Sequence, residues 1–280
     1  NLQDLRKYGG GYFSAFGLCL TVPFLFCRPQ LRRPIWFLVA CIVSIFSVGL
    51  VLSFTRTYWI STAVAFLFMI YPLARVKRVK FFVLLDRVIL FIILIFVLFV
   101  GIAPPTVSEF FVSRIVSIPQ AGNDLSFLDR VTELQGLWDS AIKNPITLLA
   151  GNGLGAKFTF YSVNPFSWGG TGWIENDYSH NYYAYLFWSI GIIGLFLFLL
   201  FWGSLFRRAT KALCYSSYSI TIYTPYYLIG ICTAMTNLLV ASLAAPPLTD
   251  FKWAIYFGVL IGIALNLMKL LEATSEIPFQ

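Results

Sequence analysis

The chain has 280 residues, of which 59% are hydrophobic, 18% aromatic and only 11% charged, and its mean hydropathy is +0.78. Soluble domains carry roughly 25% charged residues, so this composition excludes an ordinary soluble globular domain and indicates a polytopic membrane protein. The net charge of +8 does not point to nucleic acid, because the cations fall in short connections between apolar runs rather than on one basic face.

Apolar runs of about 20 residues suffice to cross a hydrocarbon core about 30 Å thick. Seven follow in chain order, at roughly 10–27, 34–54, 57–74, 81–103, 180–206, 219–245 and 251–271. Each is expected to be a helix, since a backbone in lipid must satisfy its own hydrogen bonds. One set of connections holds Arg28, Arg32 and Arg33, then Arg75, Lys77, Arg78 and Lys80, then Arg207, Arg208 and Lys211. The connections between them are poor in cations, so the basic set is expected on the cytoplasmic side. The segment 104–179 sets Glu109, Asp124, Asp129, Glu133, Asp139, Glu175 and Asp177 against Arg114, Arg130, Lys143 and Lys157. It is mildly acidic and falls on the outer, periplasmic side. The expected architecture is therefore an all-α polytopic membrane protein. Helices one to four occupy 1–103, a long outer loop 104–179, and helices five to seven 180–280.

Cys19, Cys27, Cys41, Cys214 and Cys232 lie in, or at the cytoplasmic ends of, these runs, which gives neither a disulfide framework nor metal-type spacing. The chain starts at Asn1 rather than Met and enters a span within about ten residues, with no signal-peptide pattern. A fragment lacking upstream helices is the expectation.

The outer loop is too long for a mere connector. After Pro104-Pro105, Ser126 to Ile142 reads as an amphipathic helix with Phe127, Val131, Leu134, Trp138 and Ile142 on one face. Ser126 with Asp129 is a capping pair by spacing, and Asn144-Pro145 ends the run. Gly151-Asn152-Gly153-Leu154-Gly155 and the stretch Trp168 to Trp173 read as irregular and turn-rich. The whole loop suits a cover over an outward-facing cavity.

Three side chains stand out for chemistry. Arg56, in Ser53-Phe54-Thr55-Arg56-Thr57-Tyr58-Trp59, breaks the charge bias of its neighbours. A cation at membrane depth faces a polar cavity or a partner, and a guanidinium fits phosphate oxygens; the competing role is snorkelling to the interface. Arg130 sits one residue off the apolar face of the loop helix, either as an anion ligand or as a solvated charge beside Asp129 and Glu133. His180, the one histidine, stands where the loop becomes a helix, and imidazole is the natural proton acceptor near neutral pH. Its competing role is to cap that helix. Glu175 and Asp177 could orient the imidazole or serve as the base, or be solvated loop charges. The Gly-rich stretch lacks the strand–helix frame of a dinucleotide site.

Absences narrow the chemistry further. No span carries an acidic residue near its midplane, Asp86 lying beside Arg87 at the cytoplasmic end of the fourth, which speaks against ion-coupled transport. No dense carboxylate cluster suggests Mg²⁺ or Mn²⁺, so metal-independent chemistry without a cofactor is expected.

Taken in order, three elements resemble the bacterial O-antigen ligase and O-antigen polymerase superfamily. The first is Thr55-Arg56-Thr57-Tyr58-Trp59 opening a helix. The second is the loop helix with Arg130 and Trp138, followed by Asn144-Pro145 and Gly151 to Gly155. The third is His180-Asn181 at a helix start with Gly191 and Gly194 downstream. The resemblance covers about 45–205. Arg6-Lys7-Tyr8-Gly9 is similar to a further element, with Phe and Ala in place of its polar residue.

The resemblance implies a glycosyltransferase that moves a polyprenyl-diphosphate-linked glycan to lipid A core, to another glycan or to protein. It implies the bacterial inner membrane, with membrane lipids around the spans and the long loop outside. Arg56 and Arg130 would stabilise the leaving diphosphate. His180 would position or deprotonate the acceptor, with Asn181, Glu175 and Asp177 contributing to substrate binding. Trp168, Trp173, Tyr178 and Tyr182 would stack on sugar faces or form an interfacial aromatic belt. Two other classes stay open at this level: a transporter or flippase of lipid-linked sugars, and a non-catalytic scaffold of a polysaccharide machine.

Overall fold

The structure is a computed structural model. It describes residues 11–26, 32–53, 55–77, 105–116, 125–165, 170–214, 223–244 and 251–275, with isolated positions between 82 and 101. Its elements are α1 (Gly11–Leu25), α2 (Arg33–Leu52), α3 (Arg56–Lys77), α4 (Pro105–Val116), α5 (Leu125–Ala141), α6 (Pro145–Ala150), β1 (Phe158–Ser162), β2 (Gly172–Asn176), α7 (Tyr182–Cys214), α8 (Thr224–Ala241) and α9 (Phe251–Ser275).

Among the described residues, five helical segments are long and apolar enough to cross a membrane: Arg33–Leu52, Arg56–Ala74, Tyr182–Cys214, Thr224–Ala241 and Ala254–Ala273. They coincide with five of the seven expected runs. The 15-residue α1 is the described part of the first run. The expected fourth span is described only at isolated positions, and Arg6 and Trp168 lie outside the described residues. Helix starts follow local chemistry. Pro34 occupies the first turn of α2, where its missing N–H costs nothing. Asn144 caps α6 by accepting from the Ile146 amide at 2.9 Å, so Asn144-Pro145 closes one helical run and opens the next.

The chain divides into two compact units. The first comprises 1–114, 205–241 and 254–280. Its centre is α8, which packs on α1 and α3 and buries Leu228, Ile229, Ala234, Met235 and Leu238 completely. A helix apolar on all sides belongs inside a bundle. Gly230 permits the close approach: a Cβ there would sit 2.6 Å from the Leu20 carbonyl oxygen of α1. Buried Asn237 donates to Ser61 Oγ at 3.1 Å and Thr62 Oγ1 at 3.0 Å on α3. In lipid such interhelical bonds add to packing, at about 0.6 kcal/mol on average. Asn237→Leu is therefore expected to lower the thermal midpoint of the purified protein by a few degrees, as read by tryptophan fluorescence. An unchanged midpoint would show that packing alone holds α3 to α8. Arg208 near the end of α7 forks onto Glu272 of α9, with N···O distances of 3.1 and 2.9 Å.

The second unit comprises 115–204 and 242–253, and it departs from the all-α expectation. The stretch after the glycine-rich loop forms an antiparallel hairpin, with Phe158 opposite Asn176 and Ser162 opposite Gly172. The period of two explains it: Phe158, Phe160 and Ser162 point inward and are buried, while Thr159 and Tyr161 point outward. The hairpin packs on α5, and Leu137, Ala141, Phe158, Phe160 and Trp188 make the unit's core. Gly136 allows contact at that point, since a Cβ would lie 2.5 Å from the Thr159 carbonyl oxygen. The packed face of α5 is thus Glu133, Gly136, Leu137 and Ala141. Phe127, Leu134, Trp138 and Ile142, from the expected apolar face, are exposed instead.

Candidate functional site

The polar end of α7 organises the second unit. Ser179, fully buried, accepts from the Asn181 amide at 3.1 Å. Asn181 Oδ1 accepts from the amides of Tyr183 and Ala184 at 3.0 and 3.1 Å. Asn181 is thus the N-cap of α7, satisfying amides that have no partner within the helix. The Tyr182 amide is taken up by the Ser242 carbonyl at 2.8 Å. The capping role weighed for His180 belongs to its neighbour.

His180 is held by Glu133 of α5. One carboxylate oxygen accepts from the His180 backbone amide at 2.7 Å, and the other lies 2.7 Å from Nδ1. Glu133 is only 1% exposed. Burying a carboxylate is expensive unless it is hydrogen-bonded, and both of its oxygens are used on the same residue. A carboxylate only accepts, so Nδ1 carries the proton and Nε2 keeps its lone pair in the neutral ring. The imidazole side chain remains 42% exposed, with Tyr178 edge-on at 5.8 Å. The arrangement is an oriented, accessible imidazole on a buried carboxylate.

Arg130 is half-buried on the same helix, three residues before Glu133 and so on an adjoining face. Asp129 serves the scaffold, accepting from Ser162 Oγ at 2.6 Å and the Val163 amide at 3.0 Å, which ties the end of β1 to α5. This use accounts for an aspartate at that position. Glu175 lies on the outward face of β2 and pairs with Lys157 at 3.3 Å, both well exposed. Trp173, on the same face, is 77% exposed and edge-on to Tyr161. Asp177 is exposed in the connection to α7, its amide bonded to Asn176 Oδ1 at 3.0 Å. Arg56 belongs to the first unit, where it is half-buried and opens α3. Its turn is braced by Trp59 Nε1 donating to the Leu50 carbonyl at 2.9 Å, and the adjacent helix N-terminus adds to its positive field. Among the described residues, no group of three His, Cys, Asp or Glu side chains could hold a metal ion.

The glycine-rich loop has a structural task. At Gly191, φ is 69° and ψ −177°, a region open essentially to glycine alone, and the α7 ladder breaks there. The Trp188 and Ser189 carbonyls before the break accept from the amides of Asn152 and Gly153 at 2.9 and 3.0 Å. Trp188 Nε1 in turn donates to the Ala156 carbonyl at 2.8 Å. A broken helix in a membrane protein persists only where neighbouring protein satisfies the freed groups. Gly151, with φ 84°, could not carry a side chain without striking Ser189, nor could Gly191 without striking Leu149. Gly191→Ala should therefore destabilise the fold by roughly 1–3 kcal/mol from strain alone. The check is a fall of several degrees in the thermal midpoint and loss of monodisperse protein; a variant as stable as the parent would show the break to be dispensable.

Glu133 is the member of this site that sequence reasoning did not single out. Its one signal was the i, i+3 spacing from Arg130, and its partner is 47 residues away in the chain.

With these residues in place, the decisive comparison is with known families. The O-antigen ligase family model matches residues 39–199, more than half of the chain and inclusive of Arg56, Arg130, Glu133, His180 and Gly191. The chain belongs to the O-antigen ligase family. No curated protein and no solved structure matches it. For this O-antigen ligase family member, the family implies a multi-pass membrane enzyme of the glycosyltransferase type that works on lipid-linked glycan donors and their acceptors.

Proposed function

We propose that this O-antigen ligase family member transfers a polyprenyl-diphosphate-linked glycan to an acceptor hydroxyl at the outer face of the bacterial plasma membrane. The observation that carries the reading is the buried Glu133 clamping both the backbone and Nδ1 of His180, which is the way a general base is oriented. In the reaction the acceptor oxygen forms a bond to the anomeric carbon. The bond from that carbon to the diphosphate oxygen breaks, and the electron pair leaves with the diphosphate. The acceptor proton passes to His180 Nε2. Arg56 and Arg130 stabilise the charge growing on the diphosphate, since fixed cations act most strongly where charge develops. Trp173 and Tyr178 offer aromatic surfaces to sugar rings. The long segment between the two groups of spans faces the periplasm in this scheme, within a bundle of seven spans.

The test is reconstitution of the protein in vesicles with a polyprenyl-diphosphate-linked oligosaccharide and a panel of acceptors: lipid A core, lipid-linked repeat and protein. Transfer with release of polyprenyl diphosphate is the expected result, and the acceptor used names the branch. Translocation of the donor without cleavage would make the protein a transporter. Full glycan output in cells carrying His180→Ala at normal protein level would make it a scaffold.

A further inference from the structure

The exposed stripe on α5 has a physical occupant. Phe127, Val131, Leu134, Trp138 and Ile142 fall within an arc of about 80° at 3.6 residues per turn. Leu134, Trp138 and Ile142 are open along it, Trp138 being 55% exposed. Gln135, Asp139 and Lys143 are exposed on one flank of the stripe, while the face carrying Glu133 and Leu137 packs inside the unit. α5 thus has three sectors: protein, apolar and water-compatible. Asp129, Arg130, Glu133 and Asp139 are spread along its length, which rules out a span. A stripe in one constant sector along a charged helix is the pattern of a helix lying in the membrane surface.

Continuity with a membrane-spanning helix decides the occupant. Trp138 stacks on Phe187 of α7, with ring centroids 5.8 Å apart and planes 22° apart. From Ile192, Ile193 and Phe196 onward, α7 exposes the apolar belt of a helix long and apolar enough to cross a membrane. Tryptophan concentrates at the boundary between headgroups and acyl chains, the setting expected for a ring stacked on α7 just ahead of that belt. We infer that α5 lies along the bilayer surface with its Phe127–Ile142 stripe in the lipid leaflet that α7 enters. Ile146 and Leu149 of α6, also exposed, continue the contact. This lipid contact is independent of the transfer reaction. Its consequence is that Arg130 and Glu133 are held at headgroup depth.

The experiment uses the whole protein in vesicles of phosphatidylcholine and phosphatidylglycerol, with and without phosphatidylcholine brominated near the top of the acyl chain. Subtracting the fluorescence of Trp138→Phe from that of the parent isolates Trp138. Bromolipid is expected to remove about half of that signal or more, and aqueous iodide little of it, for an apolar face buried about 5–10 Å into the interface. A second arm places nitroxide labels at Ile142→Cys and Asp139→Cys, with the native cysteines replaced by alanine. The label at Ile142→Cys should collide with oxygen and the label at Asp139→Cys with an aqueous nickel chelate. Iodide quenching of Trp138, or both labels open to the chelate, would overturn the inference. A label at Ile142→Cys shielded from both reagents would also overturn it, by assigning the stripe to a second copy or another protein.

Discussion

Replacing Glu133 with glutamine should remove roughly 10²–10⁴ of the turnover, the range that a correctly placed general base contributes, while the protein stays folded. The carboxylate accepts two hydrogen bonds from His180, one from the main chain and one from Nδ1. Glutamine keeps the shape but has only one accepting oxygen. With that oxygen on the His180 amide, its NH₂ group faces Nδ1 and favours the tautomer with the proton on Nε2. The base is then lost without a cavity being made. The change is expected in kcat, with little effect on the KM for the lipid-linked donor, and the thermal midpoint should move little. His180→Ala should give a similar loss, and the double variant no more than the single ones, since residues acting as one unit are not additive. A fall in stability matching the fall in rate, or additive losses, would mean that Glu133 only packs the hairpin region.

The second large effect concerns the cations. Arg56→Ala and Arg130→Ala should each lower kcat by roughly 10²–10³, the cost of removing one donor from a site that stabilises developing negative charge. Lysine at either position should recover only part of the rate, because an ammonium supplies charge without the bidentate fork of a guanidinium. Measured turnover within about tenfold of the parent for Arg130→Ala would leave Arg130 as a surface charge of α5. The same outcome at Arg56 would return it to snorkelling.

The motifs and the membrane character were legible early for a simple reason. Hydropathy runs and helix-start chemistry are local, so α2, α3, α7, α8 and α9 fall on expected runs, and α5 differs from its expected bounds by one residue at each end. Ser-His-Asn at the start of α7 was visible for the same reason. The β1–β2 hairpin was missed because a five-residue alternation of Phe and polar residues beside glycines and aromatics is a weak local signal. It becomes a strand only when α5 supplies the surface that its buried face needs.

What the sequence by itself determined is the solvent of this protein and the place of its one histidine: apolar runs that lipid must surround, and an imidazole between a polar loop and a helix. Only the tertiary structure decided which carboxylate serves that histidine. Glu175 and Asp177 are nearer in the chain, yet Glu175 is drawn to Lys157 across the strands. Asp129 and Glu133, one turn apart on α5, are divided between the hairpin and His180. Likewise, the helical period identified an apolar stripe on α5, but the sheet packed on a different face. Burial of a charge has to be compensated by the groups that folding brings within hydrogen-bond distance, and those groups lie dozens of residues away.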